Sequence, residues 1–72
     1  MIRVLVVDDE PMARAKLCRL LRELADVQLV GEAGDATLAL AAVHEHTPDL
    51  MFVDIDMPGQ TGFDVVAALD GP

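Results

Sequence analysis

The chain has 72 residues, 53% of them apolar, and a formal net charge of −8. That length admits one small domain, which buries only roughly 60% of the surface its unfolded form exposes, and the apolar share excludes a disordered tail. Residues 1–25 carry five basic and four acidic side chains, whereas residues 26–72 carry nine acidic ones and no Lys or Arg, so clustered cations that could displace counterions from a nucleic acid are lacking.

Ile2 to Val7 is a β-branched, largely apolar run without strict alternation, the pattern of a strand buried on both faces of a parallel sheet. It ends at Asp8-Asp9-Glu10, and Pro11 follows at the first turn of a predicted helix, with acids at its positive end. Leu17, Leu20, Leu21 and Leu24 recur at helical spacing and predict its buried stripe, with Arg14, Lys16, Arg19 and Arg22 largely outside it. Val27 to Glu32 predicts a second strand, ended by Gly31 and Gly34. Asp35 is placed to cap a second helix, in which Ala36, Ala39, Leu40 and Val43 repeat the i, i+3, i+4, i+7 pattern. Pro48-Asp49 punctuates, and Leu50 to Val53 predicts a third buried strand that stops at Asp54. Pro58-Gly59 is a turn signal. A third helix is expected from near Gly62 through Val65, Val66, Ala68 and Leu69 to Gly71-Pro72.

Strands alternating with helices imply a parallel sheet with right-handed crossovers and helices on both faces. No apolar run is long enough for a membrane span, and the start is read without a signal peptide. Cys18, the only cysteine, permits no internal disulfide and fits a reducing, cytoplasmic setting.

Open parallel sheets bind ligands at the carboxyl ends of their strands. Two predicted strands end in aspartates: Asp8-Asp9 after the first and Asp54 after the third. As neighbours, these carboxylates would converge at one sheet edge. Converging acids repel unless one is protonated or a cation intervenes. An all-oxygen donor set on a water-accessible rim suits Mg²⁺. The plainer reading of Asp8, Asp9 and Glu10 is that they cap the following helix. It explains Asp54 less well, because no regular helix is predicted immediately after that residue.

Val6-Val7-Asp8-Asp9-Glu10-Pro11, followed by Asp54-Ile55-Asp56-Met57-Pro58-Gly59 and Gly62, resembles the receiver domains of two-component response regulators. The resemblance runs through the whole chain, 1–72. The Asp-Asp-Glu-Pro-Met-Ala-Arg opening and the Asp-Ile-Asp-Met-Pro-Gly segment look most like receivers of LytTR-type transcription regulators. The resemblance implies that Asp54 is the phosphoacceptor, that Asp9 ligates Mg²⁺ directly and that Asp8 does so through water. It implies that Asp56 lends a backbone carbonyl to the metal and that Met57, Pro58 and Gly59 shape the site. The implied partner is a histidine kinase or phosphotransfer protein. The implied module is a signalling domain rather than an enzyme, with DNA contacted only through a separate effector domain.

The implied fold is flavodoxin-like with strand order 2-1-3-4-5, of which this chain has counterparts for strands 2-1-3. The family's Ser/Thr after the fourth strand, Lys after the fifth and fifth-strand aromatic have no match here. The third strand would then be an edge, with self-association through it as the expected consequence. Asp54-Ile55-Asp56 also meets the minimum of a haloacid-dehalogenase-like phosphotransferase motif. That alternative leaves Asp8-Asp9 without a role and places the motif third rather than first. An inactive truncated fragment is a third reading. His44 and His46 are expected at a helix C-terminus, where His is favoured by the negative helix end. Cys18 is expected as a small helix residue. The basic group on the first helix is expected as a solvated face, and the resemblance suggests it docks the histidine-bearing partner.

Overall fold

A computed structural model describes residues 1–54. The predicted third helix, the Met57-Pro58-Gly59 loop and Asp56 lie outside the described residues. Within them the order is β1 (Ile2–Val7), α1 (Pro11–Arg22), β2 (Val27–Ala33), α2 (Ala36–His46) and β3 (Leu50–Val53). The three strands form one parallel sheet in the order β2-β1-β3.

The central strand explains the uninterrupted apolar run. Val4, Leu5, Val6 and Val7 are all essentially inaccessible to solvent, because strand side chains alternate between faces and each face of β1 is covered. Val4 and Val6 pack with Cys18 and Leu21 of α1, joined by Leu17, Val27 and Leu29. Leu5 and Val7 pack with Ala33, Ala36 and Ala39, joined by Ala42, Val43, Met51 and Val53. The α1 and α2 helices therefore sit on opposite faces of the sheet.

Both helices start where the sequence places them. Pro11 occupies the first turn of α1, and Glu10 caps it, its carboxylate accepting from the Met12 amide. Asp35 caps α2 and accepts from the Leu38 amide at 2.8 Å. At the far end Thr47 closes α2 in the left-handed region, φ 45°. Arg3 holds that corner, its guanidinium donating to the Thr47 carbonyl and hydroxyl. Arg3 and Asp49 also exchange hydrogen bonds through the Arg3 amide and carbonyl.

Four expectations need correction. Leu20 and Leu24 are 48% and 53% exposed, while Cys18 is 1% exposed. The buried stripe of α1 is Cys18 and Leu21 with Leu17 partly buried beside them, a narrower one than the leucine count suggests, because only residues aimed at β1 and β2 find cover. Next, β3 is not buried on both faces: Leu50 and Phe52 remain 47% and 39% exposed. They pair with Val4 and Val6 and so lie on the α1 side, beyond the reach of that helix.

The third correction concerns β2, which runs on to Ala33, so Gly31 lies inside it. Its register against β1 slips between Val4↔Leu29 and Leu5↔Gly31, leaving Val30 as an extra residue. A one-residue insertion reverses which face later side chains occupy. Accordingly Val27 and Leu29 join the α1 cluster, yet Ala33 joins the α2 cluster. Gly31, on the α2 side, leaves room for His46: an added Cβ would lie 3.4 Å from both the His46 ring and Leu5. Arg14, finally, is not part of the solvated basic face, as described below.

Candidate metal centre

The sheet carries the acidic residues to one edge. The Asp8 amide donates to the Ala33 carbonyl at 3.0 Å, and the Asp54 amide donates to the Val7 carbonyl at 2.9 Å. Each bond extends a strand ladder by one residue, so Asp8 and Asp54 stand at the carboxyl ends of neighbouring parallel strands. Asp9 follows on the turn into α1. One carboxylate oxygen from each of Asp8, Asp9 and Asp54 lies within 4.8 Å of the others, and all three residues are half-buried. The sequence expectation of a convergent acidic edge is therefore met by these three.

The electrostatics follow from that crowding. Burial, and then the neighbouring Asp54 carboxylate, hold the Asp9 carboxyl above the usual Asp value, with Asp8 adding to the effect. Like charges this close favour a bound proton or a cation. An open cleft of about 380 Å³ adjoins the cluster, lined by Val7, Asp8, Leu17, Phe52, Val53 and Asp54. Three convergent carboxylates on an open rim fit a hard divalent cation that retains waters.

Hydrogen bonds shape the turn that carries Asp8 and Asp9. One Asp8 carboxylate oxygen accepts from the Glu10 amide at 2.9 Å. The Asp8 carbonyl accepts from Nη1 of Arg14 at 2.7 Å, and Nε of the same guanidinium donates to Oε1 of Glu32 at 3.0 Å. Sequence reasoning missed this pair. The signal was the spacing: Arg14 precedes Cys18 and Leu21 by four and seven residues, so it shares their helix face. The remaining basic residues of α1, Lys16, Arg19 and Arg22, are exposed.

The histidines take their predicted places in the last turn of α2, and neither belongs to the acidic cluster. Cys18 is buried, and burial pushes its thiol further up, with Glu32 contributing. No helix among the described residues is long and apolar enough to cross a membrane.

Comparison with known proteins places these features in context. The family model for the response regulator receiver domain matches residues 4–71. The transcriptional regulatory protein BtsR of Escherichia coli is 47% identical over 70 residues, covering 97% of this chain and 29% of that protein. The sensory transduction protein LytT of Bacillus subtilis is 41% identical over 69 residues, covering 96% of this chain and 29% of that protein. Among solved structures, the signal receiver domain of NarL from Mycobacterium tuberculosis superposes with a TM-score of 0.86 at 41% identity, over 94% of this chain and 55% of that one. The response regulator domain of Thermotoga maritima CheB does so with a TM-score of 0.85 at 36% identity, over 92% of this chain and 49% of that one. The chain thus spans less than a third of the length of these curated relatives and about half of the solved receivers.

Proposed function

The chain belongs to the response regulator receiver domain family, and from that premise we propose that Asp54 accepts a phosphoryl group beside a divalent cation held by Asp8, Asp9 and Asp54. The observation that carries this reading is the convergence of those three carboxylates within 4.8 Å at the ends of β1 and β3. The family resemblance adds the backbone carbonyl of Asp56 to the ligand set and Mg²⁺ as the ion. A bound Mg²⁺ supplies charge neutralisation and alignment for an incoming phosphoryl group.

The chain's own part in the reaction is nucleophilic. An Asp54 carboxylate oxygen forms a bond to phosphorus while the bond from phosphorus to the donor histidine nitrogen breaks. The electron pair leaves on that nitrogen, which is then protonated as neutral imidazole. The product is an aspartyl phosphate, a mixed anhydride suited to a transient signal. The half-burial of Asp54 leaves it open to a donor, and the strand ladder keeps it beside Asp8.

The donor is a histidine kinase or phosphotransfer protein in the cytoplasm, and exposed Lys16 and Arg19 on α1 belong to its docking face. Residues 1–72 form the N-terminal part of a receiver within a longer regulator that controls transcription through a separate DNA-binding effector. The coverage of BtsR and LytT supports that placement. The haloacid-dehalogenase-like alternative is disfavoured, because it gives Asp8 and Asp9 no task although both adjoin Asp54.

The test uses the full-length protein with acetyl phosphate or a cognate kinase and reads acid-labile phosphate by mass spectrometry. Incorporation at Asp54, lost with Asp54→Asn and with chelation of Mg²⁺, is the expected result. Phosphate at another residue, or metal-independent labelling, overturns the reading.

A further inference from the structure

Arg14 stands out among the cations of α1 because its guanidinium is directed inward. Its side chain is 23% exposed and is paired with Glu32. The carbonyl it grips at 2.7 Å belongs to the peptide bond that joins Asp8 to Asp9. Fixing that oxygen fixes the plane between the two carboxylate-bearing residues.

Glu32 reaches Arg14 only because of the irregularity in β2. Without the extra residue at Val30, alternation would put Glu32 on the α2 side of the sheet. With it, Glu32 pairs with Val6, whose side chain packs against α1. The fork is held at its second end by a side chain anchored in the sheet. Gly34 leaves the space it needs, since a Cβ there would lie 3.1 Å from Nη1.

We propose that Arg14, anchored by Glu32, is a positioning residue for the metal centre: it holds the Asp8–Asp9 peptide in the orientation that aims both carboxylates at one cation. The inference rests on the reading of the acidic cluster as a Mg²⁺ site. It concerns geometry rather than charge, and the two make opposite predictions. As a bare positive charge near a cation site, Arg14 would oppose metal binding, and its removal would tighten Mg²⁺. As the holder of the ligand turn, its removal loosens Mg²⁺, as loss of groups that orient metal ligands does by about 10-fold or more.

The experiment titrates Mg²⁺ into the full-length protein carrying Arg14→Met, Arg14→Lys, Glu32→Gln, Asp9→Asn or Leu21→Ala, with Tm recorded for each. The expected result is a roughly 10-fold rise in Kd for R14M. R14K should fall between R14M and the unaltered protein, because a lysine reaches one partner but lacks the fork. E32Q should weaken binding in the same direction. L21A, which removes core packing from the same helix, should lower Tm with little change in Kd at temperatures where it is folded. Unchanged or tighter binding in R14M, while D9N loses the metal, overturns this inference alone. A fall in affinity in L21A equal to that in R14M also overturns it, by reducing the effect to general destabilisation. Undiminished binding in D9N overturns the metal-site reading and this inference with it.

Discussion

Leu20 and Leu21 are adjacent, chemically identical and equally placed on the leucine stripe, yet they are 48% and 5% exposed. Leu21 packs against Val4, Val6 and Cys18, so Leu21→Ala removes buried methylenes and leaves a cavity, costing about 2–5 kcal/mol. Leu20→Ala removes roughly the same carbons at about 0.8 kcal/mol each, but half of that surface is already in water and no cavity forms, so the loss is about 1 kcal/mol. At about 4–8 °C per kcal/mol for a small domain, L21A lowers Tm by roughly 10 °C or more and L20A by roughly 5 °C. Thermal unfolding followed by circular dichroism on the full-length protein, with a denaturant titration to confirm an unchanged m-value, measures both. A loss in L20A as large as that in L21A would refute the assignment of the α1 core face.

Three further outcomes are expected. The Asp9 carboxyl is held above its ordinary value, so its contribution to stability is present below the ordinary Asp range and is lost as pH rises through the folded value; Asp9→Asn therefore raises Tm at neutral pH in metal-free buffer and abolishes the Tm increase produced by Mg²⁺. A lower metal-free Tm in D9N would contradict this. Thr47 is a β-branched residue at φ 45°, where an L-residue costs about 1–2 kcal/mol and Asn is better tolerated; Thr47→Asn should stabilise by about 0.5–1 kcal/mol, read as a higher denaturant midpoint, and a lower midpoint would show that the Arg3 contact to the hydroxyl matters more. Burial raises the Cys18 thiol and keeps it neutral, so iodoacetamide should alkylate it at neutral pH only at the rate of local opening; labelling as fast as that of the denatured chain would place Cys18 outside the core.

Much of the candidate metal centre was legible in the sequence. Asp8, Asp9 and Asp54 follow apolar runs that suit buried parallel strands, and parallel strands bring their carboxyl ends to one edge. Two adjacent ladders then place the residues after Val7 and Val53 side by side. The support beneath that edge was not legible. Arg14 reads as one of several charges on an amphipathic helix, and Glu32 as the polar end of a strand. Their pairing depends on a bulge that shifts β2 by one residue, and no residue type near Val30 announces it, since Gly31 reads equally well as a strand terminator.

Sequence alone determined the order of the described elements, the helix starts at Glu10–Pro11 and Asp35, and the family, because these rest on local periodicity, on backbone propensity and on a short set of motifs. The tertiary structure alone decided which side of each element is covered. Leu20 and Leu24 have the hydrophobicity of core residues but no covering surface among the described residues, whereas Cys18 faces Val4 and Val6. Burial is set by what lies opposite a side chain, and for Arg14 the opposite surface is the peptide between two of the candidate metal ligands.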